Sequence, residues 1–173
     1  MPPTQSQRGW PPLLHACWWC RAHSPGPVTP QRPSLPPYPW IWQPMAVSAS
    51  CIRGPWQGLA ESEVTRRWPL EWSVWRTAPE TLDLDGRETL TALYARVADA
   101  FEDLVRSSDA ATVAVFTHDA VVRAAVAWTL RVGPSTYRHI DVANCSITTI
   151  HASTSGRRLV ALNDTSHLLR SER

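Results

Sequence analysis

The sequence has 173 residues, of which 43% are apolar, and its formal net charge is only +2. A chain of this length suits one globular domain, and its near-neutral charge argues against a nucleic-acid-binding protein. No apolar run approaches the roughly 20 residues that cross a bilayer, and the first residues lack the features of a secretory signal. We therefore expect a cytoplasmic protein that does not contact membranes.

The first fifty residues differ sharply in composition from the rest. They hold twelve of the sixteen prolines, five of the ten tryptophans and no acidic residue. Because each proline ring removes a backbone donor and restricts the preceding residue, we expect neither a helix nor a central strand there. We interpret residues 1–50 as a disordered segment, translated from GC-rich coding sequence in the wrong frame.

Two other interpretations of this segment remain open. Residues 34–39 (Ser-Leu-Pro-Pro-Tyr-Pro) resemble a proline-rich ligand, since a preformed polyproline II helix binds aromatic grooves at low entropic cost. The acid-free, arginine-bearing composition also resembles an organelle transit peptide, although the prolines oppose an amphipathic helix. Cys17 and Cys20 form a Cys-Trp-Trp-Cys unit, but no second ligand pair follows, so we expect no metal and no cofactor.

From Cys51 onward, ordinary helical and strand patterns appear. A turn-rich loop at residues 54–58 precedes helix-forming residues at 59–68 and a second short helix at 70–76. The clearest predicted helix spans residues 88–106, because apolar side chains recur there at steps of three and four. Its predicted buried face consists of Leu90, Leu93, Tyr94, Val97, Phe101, Leu104 and Val105.

The remainder of the chain indicates a sheet. Residues 112–117 form a short run of β-formers, as expected of a parallel strand buried on both faces, and an apolar helix follows at 121–130. Two later strands, at 146–151 and 158–163, are separated by turn residues and predict an antiparallel hairpin at a sheet edge. These elements predict an α/β fold, a three-layer sheet with helices on both faces.

The residues with the clearest chemical potential follow the predicted parallel strand. His118 stands at the strand end, and the amides of Asp119 and Ala120 begin the next helix, where free donors and the helix dipole favour an anion. An imidazole adds a charge-assisted donor and can take part in proton transfer. The competing interpretation is that His118 only caps the helix.

Five segments in the same order resemble the histidine phosphatase (phosphoglycerate-mutase-like) superfamily. Val-Ala-Val-Phe-Thr-His-Asp-Ala-Val-Val-Arg at 113–123 resembles its second histidine motif. The others are 54–59 (Gly-x-Trp-Glu-Gly-Leu in the family), 85–90 (Gly-Gly-Glu-Ser-Leu), 143–146 (Asn-Ala-Ser) and 162–168 (Leu-Asn-Asp-Thr-x-His-Leu). The resemblance implies a phosphoglycerate-mutase-like α/β/α sheet, with residues 51–173 as its C-terminal part and the N-terminal half truncated.

The resemblance also implies a metal-free phosphohistidine mechanism on a small phosphorylated metabolite, with two parts missing. The family's nucleophile lies in an Arg-His-Gly motif after the first strand, whereas the only Arg-His pair here is Arg138-His139, late in the chain. The family's general acid falls at Ser50. Only His118 remains of the catalytic set, and His118, Asp119 and Ala120 remain as the expected phosphate-binding residues.

We therefore expect a phosphomonoesterase- or mutase-like protein that is inactive as this chain. One alternative is a non-catalytic interaction protein that uses its Pro/Trp-rich segment, and another is that a second chain supplies the missing half. The sequence does not determine the substrate or the oligomeric state. Without the first strand, the edge around Val113 and Val115 is expected to lack a partner and to promote aggregation, unless residues 38–47 cover it.

Overall fold

The structure is a computed structural model, and it describes residues 13–17, 49–107 and 112–171. Four strands lie within these ranges: β1 Leu13–Cys17, β2 Thr112–Phe116, β3 Ile147–Ser153 and β4 Gly156–Asp164. The α-helices are α1 Glu61–Arg67, α2 Pro69–Thr77, α3 Leu90–Ser107 and α4 Asp119–Leu130. Short 3-10 turns occur at Gly54–Trp56, Pro79–Thr81, Pro134–His139 and Ser166–Ser171.

The four strands form one mixed sheet in the order β2-β1-β3-β4. β1 runs parallel to β2 and antiparallel to β3, and β3 pairs antiparallel with β4. The predicted late hairpin is therefore confirmed, with its tight turn between Ser153 and Gly156. Since β1 and β2 are parallel neighbours, their carboxyl ends lie side by side, and His118 comes shortly after the end of β2.

β1 corrects the expectation that the first fifty residues hold no central strand. Leu13–Cys17 contains no proline, although Pro12 precedes it, so all five residues can join the ladders on both sides. The prediction that Val113 and Val115 lack a partner is wrong for the same reason, since they pair with Leu14 and Ala16. Residues 18–48, with the proline-rich stretch at 34–39, lie outside the described residues.

β2 is less buried than its composition predicts. Val115 is buried, but Phe116 is 50% exposed and Val113 is only partly covered. Among the described strands β2 and β4 lie at the two edges of the sheet, so β2 has one described neighbour, β1. The expectation of a strand buried on both faces is therefore wrong.

The main core is formed by α3 and α4, which pack against each other and against the sheet. Six of the seven positions predicted for the apolar face of α3 are buried, and Val105 is partly buried. α4 is buried over most of its length, and it begins two residues earlier than predicted. No helix in the described part of the chain is long and apolar enough to cross a membrane.

A second cluster is centred on the loop before α1. Trp56, Val64 and Leu82 are buried together, with the Trp72 and Trp75 rings of α2 packed against them. At Gly54, where φ is +57°, an added Cβ would lie 2.7 Å from the backbone of Gly86. The loop at 54–58 and the turn before α3, distant in sequence, are therefore in direct backbone contact.

Candidate anion-binding site

His118 lies between the end of β2 and the first residue of α4. Its backbone is extended (φ −119°, ψ 162°), and it is the N-cap residue of the helix, with no capping hydrogen bond from its side chain. Its carbonyl accepts hydrogen bonds from the amides of Val121 and Val122, both at 3.0 Å. The amides of Asp119 and Ala120 thus precede the first intrahelical hydrogen bonds, and the His118 side chain is exposed beside them.

The Asp119 carboxylate, expected to repel an anion, is held by an arginine. Its Oδ2 accepts from Nη2 of Arg123 at 3.0 Å and from Nε at 3.2 Å, one helical turn away. Arg123 also donates to the carbonyl of Tyr137 at 2.8 Å and to that of Ile140. Because this guanidinium neutralises the carboxylate, Asp119 opposes a bound phosphate less than its charge alone predicts.

Tyr137 links this helix start to the tryptophan cluster. The Arg123 guanidinium carbon lies 4.9 Å from the centre of the Tyr137 ring. The centres of the Tyr137 and Trp75 rings are 5.4 Å apart. Burial, together with the charge of Asp119, raises the pKa of Tyr137 to about 12. The phenol is therefore neutral under physiological conditions.

Arg87 occupies a corner between two indole rings. Its guanidinium carbon is 4.8 Å from the centre of the Trp56 ring and 4.4 Å from that of Trp75, and the two rings meet at 80°. Burial lowers the pKa of Arg87, and the groups that act on its charge are Cys51, Tyr137 and Arg53. No carboxylate among the described residues forms an ion pair with it.

The neighbouring acid, Glu88, is occupied elsewhere. Its carboxylate accepts from Nε and Nη2 of Arg96 at 2.9 and 3.0 Å, and its Oε2 is 3.4 Å from the Ile52 amide. Cys51 is partly buried beside this pair, and that burial raises the pKa of its thiol. Glu88, paired with Arg96, therefore ties the residues just before α3 to the irregular segment that precedes the 54–58 loop.

The remaining residues singled out in the sequence lie at the periphery. Ser50, at the position of the family's acid, is exposed in irregular structure. His139 is exposed, and the neighbouring Arg138 lies over the Trp75 ring at 5.5 Å and donates to the Trp75 carbonyl. Cys145 is partly buried, in line with a small packing residue.

Sequence reasoning missed Arg87 and Tyr137. A signal for Arg87 was available, because it stands where the family motif Gly-Gly-Glu-Ser-Leu has its second glycine, so the sequence itself shows this departure from the motif. Tyr137 carried no such signal, since it lies in a short 3-10 turn and reaches the cluster only through tertiary packing.

The two late motifs meet in the structure. The Oδ1 of Asn163 accepts a hydrogen bond from the Ala143 backbone N–H at 2.7 Å. The backbone N–H of Asn163 donates to the Thr148 hydroxyl at 3.3 Å. Asn163 has φ of +57°, a conformation that asparagine tolerates better than most residues. This asparagine therefore anchors the loop before β3 to the end of β4.

Comparisons with known proteins agree with this architecture. A family model for the histidine phosphatase superfamily (branch 1) matches residues 51–165. Phosphoserine phosphatase 1 of Hydrogenobacter thermophilus is 29% identical over 115 residues, which cover 66% of this chain and 54% of the relative. The chain therefore spans about half the length of this curated relative.

Two solved structures show the same fold at low sequence identity. The alpha-ribazole phosphatase of Shigella flexneri matches with a TM-score of 0.62 at 15% identity, over 69% of this chain and 59% of that one. A mycobacterial glucosyl-3-phosphoglycerate phosphatase, solved with VO3, matches with a TM-score of 0.59 at 22% identity, over 69% and 61%.

These matches confirm the predicted phosphoglycerate-mutase-like α/β fold class. With a family model that covers two thirds of its length, and with its strand, His118 and helix arranged in the family's order, this chain belongs to the histidine phosphatase superfamily (branch 1).

Proposed function

We propose that this chain binds the phosphoryl group of a small phosphorylated metabolite at His118 and the start of α4, and that it does not hydrolyse the ester. The observation that carries the proposal is the exposed imidazole at the end of β2, directly before two amides that precede the first helical hydrogen bonds. Such amides and the helix dipole favour an anion, and a protonated imidazole adds a charge-assisted donor. The pairing of Asp119 with Arg123 supports the same conclusion.

The lack of turnover is argued from the residues present. The 173 residues contain no Arg-His-Gly, and Ser50 stands where the family's acid falls. Without a nucleophilic imidazole no phosphoenzyme forms, and without a proton donor the alkoxide leaves only at high cost. His118 alone supplies neither the covalent step nor the acid.

Phosphatase assays and NMR titration test the proposal together. With p-nitrophenyl phosphate we expect no hydrolysis above background. With inorganic phosphate we expect millimolar binding, about 4 kcal/mol, seen as a shift of the His118 ring signals.

Two histidine variants sharpen this test. His118→Gln should abolish the phosphate response, while the matched control His139→Gln, which removes an exposed histidine from the 134–139 turn, should retain it. Phosphatase activity that survives purification and disappears in His118→Gln would show that the chain is an enzyme. Phosphate binding unaffected by His118→Gln would place the anion elsewhere.

A further inference from the structure

β4 forms one edge of the described sheet and exposes apolar side chains on one of its faces. Among the described strands only β3 pairs with it. Side chains at alternate positions of β4 differ in exposure, as expected of a strand with one covered face. Leu159 packs against the main core, whereas Val160 and Leu162 are 49% and 38% exposed. The strand therefore combines an edge position with an exposed apolar pair, a combination that favours pairing with another strand.

Two opposite charges flank the apolar pair on the same strand. Arg158 precedes the pair by two residues, Asp164 follows it by two, and both are exposed. The Asp164 Oδ1 accepts a hydrogen bond from the backbone N–H of Ser166 at 2.9 Å. This bond, together with one from the Ser166 side chain, lowers the pKa of the Asp164 carboxyl. The exposed row thus consists of an arginine, a valine, a leucine and an aspartate, with a charge at each end.

This row is complementary to a reversed copy of itself. If two β4 strands pair antiparallel with Ala161 opposite its own copy, Arg158 lies opposite Asp164 of the second copy. In the same register Val160 lies opposite Leu162 of the second copy. Each contact then occurs twice, as a two-fold axis requires. Shifting the register by two residues places Arg158 opposite Leu162 or beyond the end of the strand, so only one register matches both the charges and the apolar pair.

We propose that β4 pairs antiparallel with β4 of a second copy of this chain, centred on Ala161, and forms a two-fold dimer. Backbone hydrogen bonds join the two edges, and the opposed charges and apolar side chains determine the register. The backbone at Asn163 is irregular, with φ of +57°, but an arginine also reaches a diagonal neighbour across a strand pair. His118 follows β2, at the other edge of the described sheet, so the dimer leaves the proposed anion site of each copy open.

Sedimentation velocity of the full-length protein over a wide range of concentrations tests the pairing. We expect a monomer–dimer equilibrium with a dissociation constant on the order of 10 µM. Val160→Lys places two like charges near the centre of the paired strands and should raise this constant by about tenfold or more. The matched control Leu70→Lys adds the same charge at a leucine of α2 that is 78% exposed, and it should leave the equilibrium unchanged.

Exchange of the two charges tests the register. Arg158→Asp and Asp164→Arg each place like charges opposite each other, so each should weaken the dimer by about tenfold. The double variant restores opposite charges at these positions and should recover association close to that of the wild type. Circular dichroism of each variant identifies any that fail to fold, and Val160→Lys keeps the test available if a charge variant is one of them.

Three results would overturn the inference. A protein that stays monomeric at every concentration does not pair through β4. A dimer of unchanged strength in folded Val160→Lys is held together by another surface. A dimer that both single charge variants weaken and the folded double variant fails to restore does not have the register centred on Ala161.

Discussion

At the scale of single residues, the chemistry of this chain depends on which charges are already paired. The sequence identified His118 from its position after a strand, and the structure keeps it at the exposed N-cap of α4. Arg87 was not identified, because its significance depends on Trp56 and Trp75, which reach it from a separate loop and helix. Local patterns carry no information about such a tertiary corner.

Tyr137 gives the molecule a defined response to alkali. Its pKa is raised from the ordinary 10.0 to about 12, so the folded protein keeps the phenolic proton over a range in which the unfolded chain loses it. The unfolded state then binds fewer protons, and the free energy of unfolding falls as pH rises from about 10 to 12, by about 2 kcal/mol. Below pH 10 this contribution is fully present.

Urea denaturation between pH 8 and pH 12 measures this effect. Tyr137→Phe should flatten the decline, leaving a smaller slope from Cys51 and Tyr94, whose pKa values burial also raises. An identical slope in wild type and Tyr137→Phe would show that the phenol is not shielded as described.

At the scale of elements, the contact between the tryptophan loop and the turn before α3 assembles the Arg87 corner. Gly54→Ala should destabilise the protein by about 3 kcal/mol or more, because its φ of +57° disfavours a side chain and the new Cβ would meet the Gly86 backbone at 2.7 Å. Gly58→Ala is the matched control, since Gly58 has φ of +75° and open space around it. It should cost only about 1 kcal/mol.

Chemical denaturation of both variants, monitored by tryptophan fluorescence, distinguishes the cost of the positive φ from the cost of the clash with Gly86. Equal losses would mean that backbone strain alone matters and that the loop does not pack tightly on the turn. The expected excess for Gly54→Ala would confirm the close approach between these two family motifs.

The elements also show where sequence reasoning succeeded. The spacing of apolar side chains placed α3 within two residues of its observed start, because a long amphipathic helix repeats its signal over five turns. β1 was missed because five proline-free residues, Leu13–Cys17, carry little signal inside a segment dominated by proline. Pairing with β2 and β3, both distant in sequence, determines its place.

At the scale of the whole molecule, the described residues form the fold of the family, and the phosphate-binding residues that we propose follow β2. The fold class, the hairpin and the position of His118 were predictable from ordered motifs, whereas the partner of β2 and the corner of Arg87 were not. Each of these two depends on segments far apart in sequence. β1 pairs with the predicted strand β2, and the rings of Trp56 and Trp75 pack on Arg87.

A crystal structure of the full-length protein with orthovanadate tests the central claim most directly. We expect the anion within hydrogen-bond distance of the His118 imidazole and of the Asp119 and Ala120 amides, with Asp119 still paired to Arg123 and no bond from vanadium to a histidine nitrogen. Vanadate covalently attached to a protein side chain would contradict the absence of a nucleophile. Vanadate bound away from His118 would contradict the proposed site.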